Sequence, residues 1–175
     1  HFANSYIHTY GLPIIISNCS NNFGPDQDYE KLIPLVIKKI VKKESIPIYG
    51  EGKNIRDWIF VDDHCNAIDT VLFNGKSGES YNISADNEID NITIVKRILE
   101  IMDKSEDLMQ FVEDRPGHDF RYSMTSKKIS NDLNWKLKTS FEKGLEKTIE
   151  WYLNNPDILN NISKTVLDYT PWKNN

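Results

Sequence analysis

A short, uninterrupted run of β-branched residues constrains the fold of this chain more than any other feature. Residues 13–18, PIIISN, are apolar without the alternation that marks a half-exposed strand. Runs of this kind are typical of strands buried on both faces of a parallel sheet. Because parallel strands need long crossover connections, usually helical, the run predicts an inner strand of an α/β protein.

Helical and strand patterns alternate along the rest of the chain. Helical spacing of apolar residues predicts helices at 2–10, 32–41, 63–73, 92–102, 126–133 and 140–153. Short apolar runs predict further strands at 46–50, 55–61, 79–84 and 111–113. This alternation is typical of α/β or α+β architecture.

Cap and turn residues predict how these elements end and connect. The expected helix N-caps are Asp62, Asn91 and Thr139. The turn-rich segment GEGKN, residues 50–54, predicts a hairpin-like connection between the strands on either side. Residues 155–175 are rich in asparagine and weakly patterned, so we expect a surface tail that packs through Trp172.

Composition limits the classes of partner. With 39% hydrophobic residues, the 175-residue chain suits one compact domain with a sizeable core. A net charge of -5 argues against nucleic acid, although a few local cations could still hold one diphosphate. Neither a membrane span nor a signal peptide is predicted. The two cysteines lack disulfide or zinc-ligand spacing and favour a reducing, cytoplasmic setting.

The polar segment SNNFGPDQ, residues 20–27, is the first candidate site. It follows the predicted inner strand directly, and open α/β sheets bind ligands at the carboxyl ends of their strands. The amides of Asn21 and Asn22 both donate and accept, so they suit sugar hydroxyls, phosphate oxygens or a nicotinamide carboxamide. An Asx-rich turn that satisfies its own backbone accounts for the segment equally well, and both interpretations stay open.

A charged pair interrupts the predicted strand 55–61. A guanidinium binds phosphate bidentately, so Arg56 could hold a diphosphate. The simpler interpretation is an exposed strand residue that pairs with Asp57 or Glu51. Taken by itself, the pattern favours this simpler interpretation.

Cationic side chains also gather in the loop DRPGHDFRY, residues 114–122. The three cationic side chains are those of Arg115, His118 and Arg121, and they lie beside the rigid Pro116 and the flexible Gly117. Phosphate recognition would suit this arrangement. A surface loop with two internal ion pairs explains it equally well, the pairs being Asp114 with Arg115 and Asp119 with Arg121.

Several catalytic signatures do not occur in the sequence. It has no glycine-rich dinucleotide motif, no YxxxK, no GxSxG and no convincing acid/base pair of carboxylates, so no catalytic residue is predicted. His64 and Cys65 have no partner at metal-ligand spacing, and structural roles are favoured for both. The chain starts at His1 in what reads as the tail of a helix, so we expect a fragment of a longer protein.

Five segments in order resemble the dTDP-glucose 4,6-dehydratases, members of the extended short-chain dehydrogenase/reductase superfamily. They are NCSNNFGP, EKLIPL, PIYGEGKNIRDWIFVDDH, GESYNIS and DRPGHDFRY. The resemblance, which runs from His1 to about Leu153, implies the carboxyl-terminal part of an NAD-binding Rossmann-type fold with a smaller substrate-binding subdomain. Residues 1–28 would end the Rossmann domain, 29–154 would form mostly the substrate-binding region, and 155–175 would be a tail.

The same resemblance implies a set of site residues. The cofactor contact would be Asn22. The substrate contacts would be Asn21, Lys31, Leu32, Pro47, Tyr49, Arg56, Asn91, Asp114, Arg115, Pro116, Gly117 and His118. Within this set, Pro47 and Tyr49 would pack on the thymine base. Arg56, Asn91 and Arg115 would hold the diphosphate and its neighbouring sugar.

The implied reaction converts dTDP-glucose to dTDP-4-keto-6-deoxyglucose. NAD would take hydride from sugar C4, water would leave across C5 and C6, and the hydride would return to C6. Family members use the tyrosine and lysine of a YxxxK motif, which would lie upstream of His1, so we expect no turnover from these 175 residues alone. The implied partners are a dTDP-sugar and, through helix 2–10, a second subunit of a homodimer. Two alternatives stay open: a UDP-sugar epimerase or dehydratase of the same superfamily, and a non-catalytic binding module.

Overall fold

The computed structural model describes residues 1–160 of the chain. The helices are α1 (Phe2–Tyr10), α2 (Leu32–Val41), α3 (Val61–Asn74), α4 (Asn91–Ile101), α5 (Lys127–Leu133), α6 (Phe141–Asn154) and α7 (Pro156–Asn160). The strands are β1 (Ile16–Cys19), β2 (Asn21–Phe23), β3 (Ile46–Tyr49), β4 (Ile55–Phe60), β5 (Ser80–Ile83), β6 (Glu88–Asp90), β7 (Met109–Val112) and β8 (Arg121–Tyr122). Helices and strands therefore alternate along most of this range, as the sequence predicts.

The strands form three groups, in which parallel pairing dominates. Strand β4 is the hub of the largest group: it pairs in parallel with β2 and β8 and antiparallel with β6. The other two groups are the parallel pairs β1 with β5 and β3 with β7. At least one helix lies between the two strands of every parallel pair, as parallel crossovers require.

Two hydrophobic cores stabilise these elements. The larger core is built from one face each of α2, α4 and α6 against β2, β3 and β4. The predicted apolar stripe of α4 is confirmed, because Ile94, Val95, Ile98 and Leu99 are all buried in that core. The smaller core packs α3 and α5 against β4 and β5, around Ile59, Tyr81 and Trp135.

The predicted inner strand is shorter and more exposed than expected. Strand β1 starts at Ile16, and its Ser17 and Asn18 are exposed. Within residues 1–160, β5 is the strand that pairs with it, so β1 is an edge strand there. The predicted loop 20–27 also contains a short strand, since β2 continues the chain into a ladder with β4.

The predicted hairpin between β3 and β4 is wrong. The backbone of β3 pairs with β7, and this ladder is extended by a hydrogen bond from the N–H of Gly50 to the carbonyl of Val112. Gly50 and Gly52 both adopt positive φ, at 55° and 70°, and so redirect the chain away from a return along β3. Strand β4 pairs instead with β2, β6 and β8.

The helix caps lie close to the predicted positions but not on them. The N-caps are Phe60 in place of Asp62, Asp90 in place of Asn91, and Ser140 in place of Thr139. The carboxylate of Asp90 accepts from the Thr93 N–H at 2.8 Å. The shifts to Asp90 and Ser140 follow from the requirement that an N-cap side chain reach an N–H two or three residues on, whereas Phe60 caps α3 without a side-chain hydrogen bond.

The start of the expected surface tail is partly buried. Helix α7 occupies residues 156–160, and Leu159 is buried in the larger core. Residues 161–175, including Trp172, lie outside the described part of the chain. No helix within the described part is long and apolar enough to cross a membrane.

Candidate functional site

The segment 20–27 lies directly after β1, as predicted, and runs alongside the central strand. Asn21 is in register with Trp58, and Asn22 is in register with Ile59. The half-buried position of both asparagines follows from the ladder with β4. We refer to residues 20–27 as the ligand loop.

A series of hydrogen bonds holds the ligand loop in place. The Asn22 Nδ2 donates to the Ser20 carbonyl at 3.2 Å, and the Gln27 Nε2 donates to the Asn22 carbonyl at 2.8 Å. The Gln27 carbonyl accepts from the Tyr152 hydroxyl at 2.6 Å. The turn therefore satisfies part of its own backbone, which is what the Asx-turn interpretation describes.

The ligand loop nevertheless retains three buried oxygens that have no hydrogen-bond partner in the described structure. They are the Ser20 Oγ, the Asn22 Oδ1 and the Gln27 Oε1. Leaving a buried polar group unpaired costs about 1 to 3 kcal/mol, so such atoms are few in folded proteins. Their concentration in one loop favours a ligand-binding role over a purely structural turn.

Arg56 is buried rather than exposed. Only 9% of its surface is accessible, and both of its recorded hydrogen bonds, at 2.7 Å, run to the carbonyls of Ile55 and Asp119. Burial lowers the pKa of the guanidinium, and the positive charge of Arg115 lowers it further, against the opposing effect of Asp119. Arg56 is thus a desolvated cation with a second cation nearby.

The expected ion pairs of Arg56 are not formed. Asp57 is fully buried and accepts from the backbone N–H groups of Ala85 and Asn87. Glu51 instead pairs with Lys53 at 2.6 Å. Strand β4 alternates the directions of successive side chains, so neighbours along the strand cannot share one face.

The structure brings Asn91 close to Arg56 through Asn54. The N–H of Asn91 donates to the Asn54 carbonyl at 3.1 Å. The Asn54 Nδ2 in turn donates to the Asp119 carbonyl at 3.2 Å, the same oxygen that accepts from Arg56. The start of α4 and the strand β4 therefore meet at the end of the 114–119 loop. We call the two arginines, Arg56 and Arg115, the cationic cluster, and the neutral Asn91 lies beside it.

The 114–119 loop is organised by its histidine. A hydrogen bond of 2.7 Å joins the His118 Nδ1 to the Asp114 Oδ1, which also accepts from the Arg115 N–H at 2.8 Å. Desolvation opposes ionisation of Asp114, but the hydrogen bonds from His118 and Arg115 together outweigh it and hold the pKa of this carboxyl below its usual value. The His118 and Tyr49 rings form a T-shaped pair, with centroids 6.5 Å apart.

Both predicted ion pairs of this loop are wrong. Asp114 binds the backbone N–H of Arg115, and its side-chain partner is His118. The guanidinium of Arg121 makes a bidentate pair with Glu88, at 2.7 and 2.6 Å, and not with Asp119. Arg121 is therefore paired with Glu88 of β6. Of the three cationic side chains expected to recognise phosphate, Arg115 and His118 remain.

The remaining predicted substrate contacts occupy two places. Pro47 and Tyr49 lie two residues apart on β3 and so share one face, next to the 114–119 loop. Lys31 caps α2 and pairs with Glu30 at 3.3 Å, while Leu32 packs against the larger core. Pro116 and Gly117 are exposed, and Gly117 has a φ of 67° that suits glycine.

Sequence reasoning missed four residues that support these sites: Gln27, Asn54, Asp119 and Tyr152. The polar side chain of Gln27 within a candidate loop was the available signal. Nothing in the sequence links Tyr152 to a loop 125 residues earlier. The carbonyl of Asp119 acts through the backbone, which side-chain patterns do not reveal.

Residues 1–148 match the sequence profile of a family described as GDP-mannose 4,6 dehydratase. The chain belongs to this family. Because the match covers most of the chain, it includes the ligand loop and the cationic cluster.

Relatives in the family carry a more specific name. The chain is 47% identical over 162 residues to a probable dTDP-glucose 4,6-dehydratase of Sinorhizobium fredii, a match to 89% of this chain and 46% of that protein. An Escherichia coli dTDP-glucose 4,6-dehydratase is 45% identical over 179 residues, a match to 98% of this chain and 49% of that protein. The chain spans about half the length of these relatives.

A solved structure confirms the predicted fold class. The crystal structure of dTDP-glucose 4,6-dehydratase from Bacillus anthracis, in complex with NAD, superposes with a TM-score of 0.86 at 44% identity. The superposition covers 89% of this chain and 50% of that structure. The chain therefore has the α/β fold of the Rossmann-type extended short-chain dehydrogenase/reductases, and its resemblance to the dTDP-glucose 4,6-dehydratases is confirmed.

Proposed function

We propose that this chain is the sugar-nucleotide-binding part of a dTDP-glucose 4,6-dehydratase that works with bound NAD. The observation that carries the proposal is the cationic cluster, in which the buried Arg56 lies near Arg115 beside the start of α4. Names of relatives at 45% and 47% identity support the choice of substrate. In the complete protein the product would be dTDP-4-keto-6-deoxyglucose.

The electrostatics of Arg56 favour a phosphate ligand. A guanidinium has five N–H donors, and the two recorded hydrogen bonds of Arg56 run to neutral carbonyl oxygens. Burying a cation is costly; Asp119 offsets part of that cost, and the nearby Arg115 adds to it. A diphosphate would add negative charge beside the two arginines and accept charge-assisted hydrogen bonds from both.

The base site is proposed on the shared face of Pro47 and Tyr49. An aromatic ring and a rigid apolar ring make a flat surface on which a thymine can stack. The Tyr49 ring packs in a T-shaped pair with His118, which is hydrogen-bonded to Asp114. The residues of the 114–118 loop thus orient the base site and present Arg115 to the diphosphate.

The ligand loop is proposed to hold the cofactor and the sugar. The unpartnered Asn22 Oδ1 suits a donor such as the carboxamide of NAD, and Asn21 would contact the substrate. NAD supplies reversible hydride transfer when bound, while the residues of this chain bind and orient the ligands. We assign no catalytic residue here. Lys31 and Leu32 are proposed to line the diphosphate site at the start of α2.

We also propose that the complete protein is a cytoplasmic homodimer. Helix α1 has no buried residue in the described structure, and its Phe2 and Tyr10 are 87% and 68% exposed. A second subunit that packs on this helix would cover those rings. Size-exclusion chromatography with light scattering should give the mass of a dimer for the complete protein, and a monomer mass would reject this interface.

The proposed function is tested by supplying the complete protein with dTDP-glucose and NAD. Mass spectrometry of the sugar nucleotide should show the loss of one water, and dTDP-glucose should be converted faster than UDP-glucose. Faster conversion of the UDP-sugar would favour the alternative member of the superfamily. Binding of both nucleotides without any conversion would favour the non-catalytic binding module.

A further inference from the structure

The ligand loop is connected to helix α6 by a relay of hydrogen bonds. Tyr152 donates to the Gln27 carbonyl at 2.6 Å, and the Gln27 side chain donates to the Asn22 carbonyl at 2.8 Å. The Asn22 side chain then donates to the Ser20 carbonyl at 3.2 Å. Gln27 and Asn22 each accept through the backbone carbonyl and donate through the side chain to the next residue of the relay. A change at the Tyr152 hydroxyl is therefore expected to alter the position of the turn.

Packing fixes the helix end of this relay. Tyr152 is fully buried in the larger core, where the Trp151 ring meets it edge-on at 4.9 Å. The same helix also contacts the ligand loop through Phe23, whose ring centroid lies 5.2 Å from that of Phe141. A Cβ added to Gly144 would lie 3.0 Å from the Phe23 ring, so the loop and the helix are tightly packed.

We propose that Tyr152 is a positioning residue that sets the ligand loop, through Gln27, so that the buried oxygens of Asn22, Ser20 and Gln27 face the bound cofactor and sugar. The inference deepens the proposed function and rests on it. Three unpartnered oxygens and one ordered relay occupy the same eight residues. The relay uses the side-chain amide donors of Asn22 and Gln27 and the carbonyls of Ser20, Asn22 and Gln27, and it leaves those side-chain oxygens for a ligand.

The hydroxyl of Tyr152 is suited to a fixed structural donor. Burial is the main cause that raises its pKa to about 12, so it stays protonated at any physiological pH. A tyrosine with this environment cannot serve as a general base near neutral pH. Its effect on ligands must therefore come through the loop that it holds.

The test replaces the hydroxyl alone. Tyr152→Phe keeps the buried ring, and Tyr81→Phe is the matched control, because Tyr81 is also buried and its hydroxyl accepts from the Lys76 N–H at 3.3 Å, in the smaller core. The loss of one hydrogen bond should weaken NAD binding by about two- to tenfold in Tyr152→Phe and leave it unchanged in Tyr81→Phe. Calorimetric titration of the complete protein with NAD measures both.

A second readout reports the loop without any ligand. Hydrogen exchange at the amides of residues 20–27 should be faster in Tyr152→Phe than in the unmutated protein and unchanged in Tyr81→Phe. Faster exchange together with weaker NAD binding supports the inference. Unchanged exchange overturns it, as does faster exchange with unaltered NAD affinity. If the unmutated protein binds neither NAD nor dTDP-glucose, the proposed function fails and the ligand role of Tyr152 falls with it, while the exchange readout still reports the relay separately.

Gln27→Ala keeps the test decisive if Tyr152→Phe does not fold. This change removes the side-chain link to Asn22 and retains the backbone carbonyl that accepts from Tyr152. NAD affinity should fall by at least a similar factor, because the change removes both the link to Asn22 and the Gln27 Oε1, and the amides of residues 20–23 should exchange faster in the ligand-free protein. Where Tyr152→Phe does fold, the double variant should lose less affinity than the product of the two single losses, since both changes act on one relay. Unaltered affinity in Gln27→Ala, or losses that multiply independently, would overturn the proposal.

Discussion

Replacement of Asp57 by asparagine should destabilise the chain markedly, because this side chain joins two parts of the fold. Its fully buried carboxylate accepts from the N–H of Ala85 at 3.0 Å and from the N–H of Asn87 at 2.7 Å. It therefore ties the central strand β4 to the segment that leads through β6 to Asn91. The asparagine has the same shape but replaces one acceptor oxygen with a donor.

The magnitude follows from counting the two bonds. One backbone N–H would lose its acceptor and face the new amide, at a cost of about 1 to 3 kcal/mol, whereas Asp57→Ala would orphan both N–H groups and cost about 2 to 6 kcal/mol. For a domain of this size, a loss of about 2 kcal/mol lowers the melting temperature by about 4 to 8 °C. Urea unfolding and calorimetry measure these changes.

Asp69→Asn is the charge-matched control for this prediction. Asp69 is exposed on α3, so its substitution removes the same charge without orphaning a buried donor, and stability should stay within about 0.5 kcal/mol of the unmutated protein. The reasoning would be refuted by an Asp57→Asn variant as stable as Asp69→Asn. Such a result would mean that the two hydrogen bonds contribute nothing net.

Three further predictions concern stability. The carboxylate of Asp63 accepts from the N–H groups of Lys138 and Thr139, both at 2.9 Å, so Asp63→Asn should cost about 1 to 3 kcal/mol in urea unfolding. Burial lowers the pKa of Lys38, which is 1% exposed, so Lys38→Met should raise the free energy of unfolding at neutral pH by about 1 kcal/mol; a decrease would contradict this desolvation argument. The folded-state pKa of Tyr152, about 12, lies above the ordinary 10.0, so its contribution to stability is full below pH 10.0 and is lost as the pH rises through 12. A stability profile over that range should therefore be flatter in Tyr152→Phe, and identical profiles would refute the assignment.

Local sequence patterns predicted most of the secondary structure. Helices α1 and α2 end at the predicted residues, Tyr10 and Val41, since their apolar spacing and the glycine after Tyr10 are local signals. The apolar face of α4 is buried for the same reason. Strand partners were not predictable in this way: β3 pairs with β7, more than 50 residues away, and no local pattern encodes that choice.

The candidate site was predicted through its side chains but not through its contacts. The polarity of Arg56 within a strand was visible in the sequence, yet its burial against the Asp119 carbonyl depends on a loop 63 residues later. The ion pairs expected for Asp114 and Arg121 came from sequence proximity, and the fold offered His118 and Glu88 instead. Short-range pairing rules fail where a loop crosses several strands, because the closest partners then come from other elements.

The central claim, that the cationic cluster holds the diphosphate of a dTDP-sugar, is tested most directly by calorimetric titration with dTDP and UDP. The protein is compared with Arg115→Ala and with Arg97→Ala, a control that removes an exposed arginine from α4. We expect dTDP to bind more tightly than UDP, and the loss of one charged hydrogen bond, about 1.5 to 3 kcal/mol, to weaken dTDP binding by about 10- to 150-fold in Arg115→Ala alone. Tighter binding of UDP, or equal dTDP affinity in the two variants, would contradict the account.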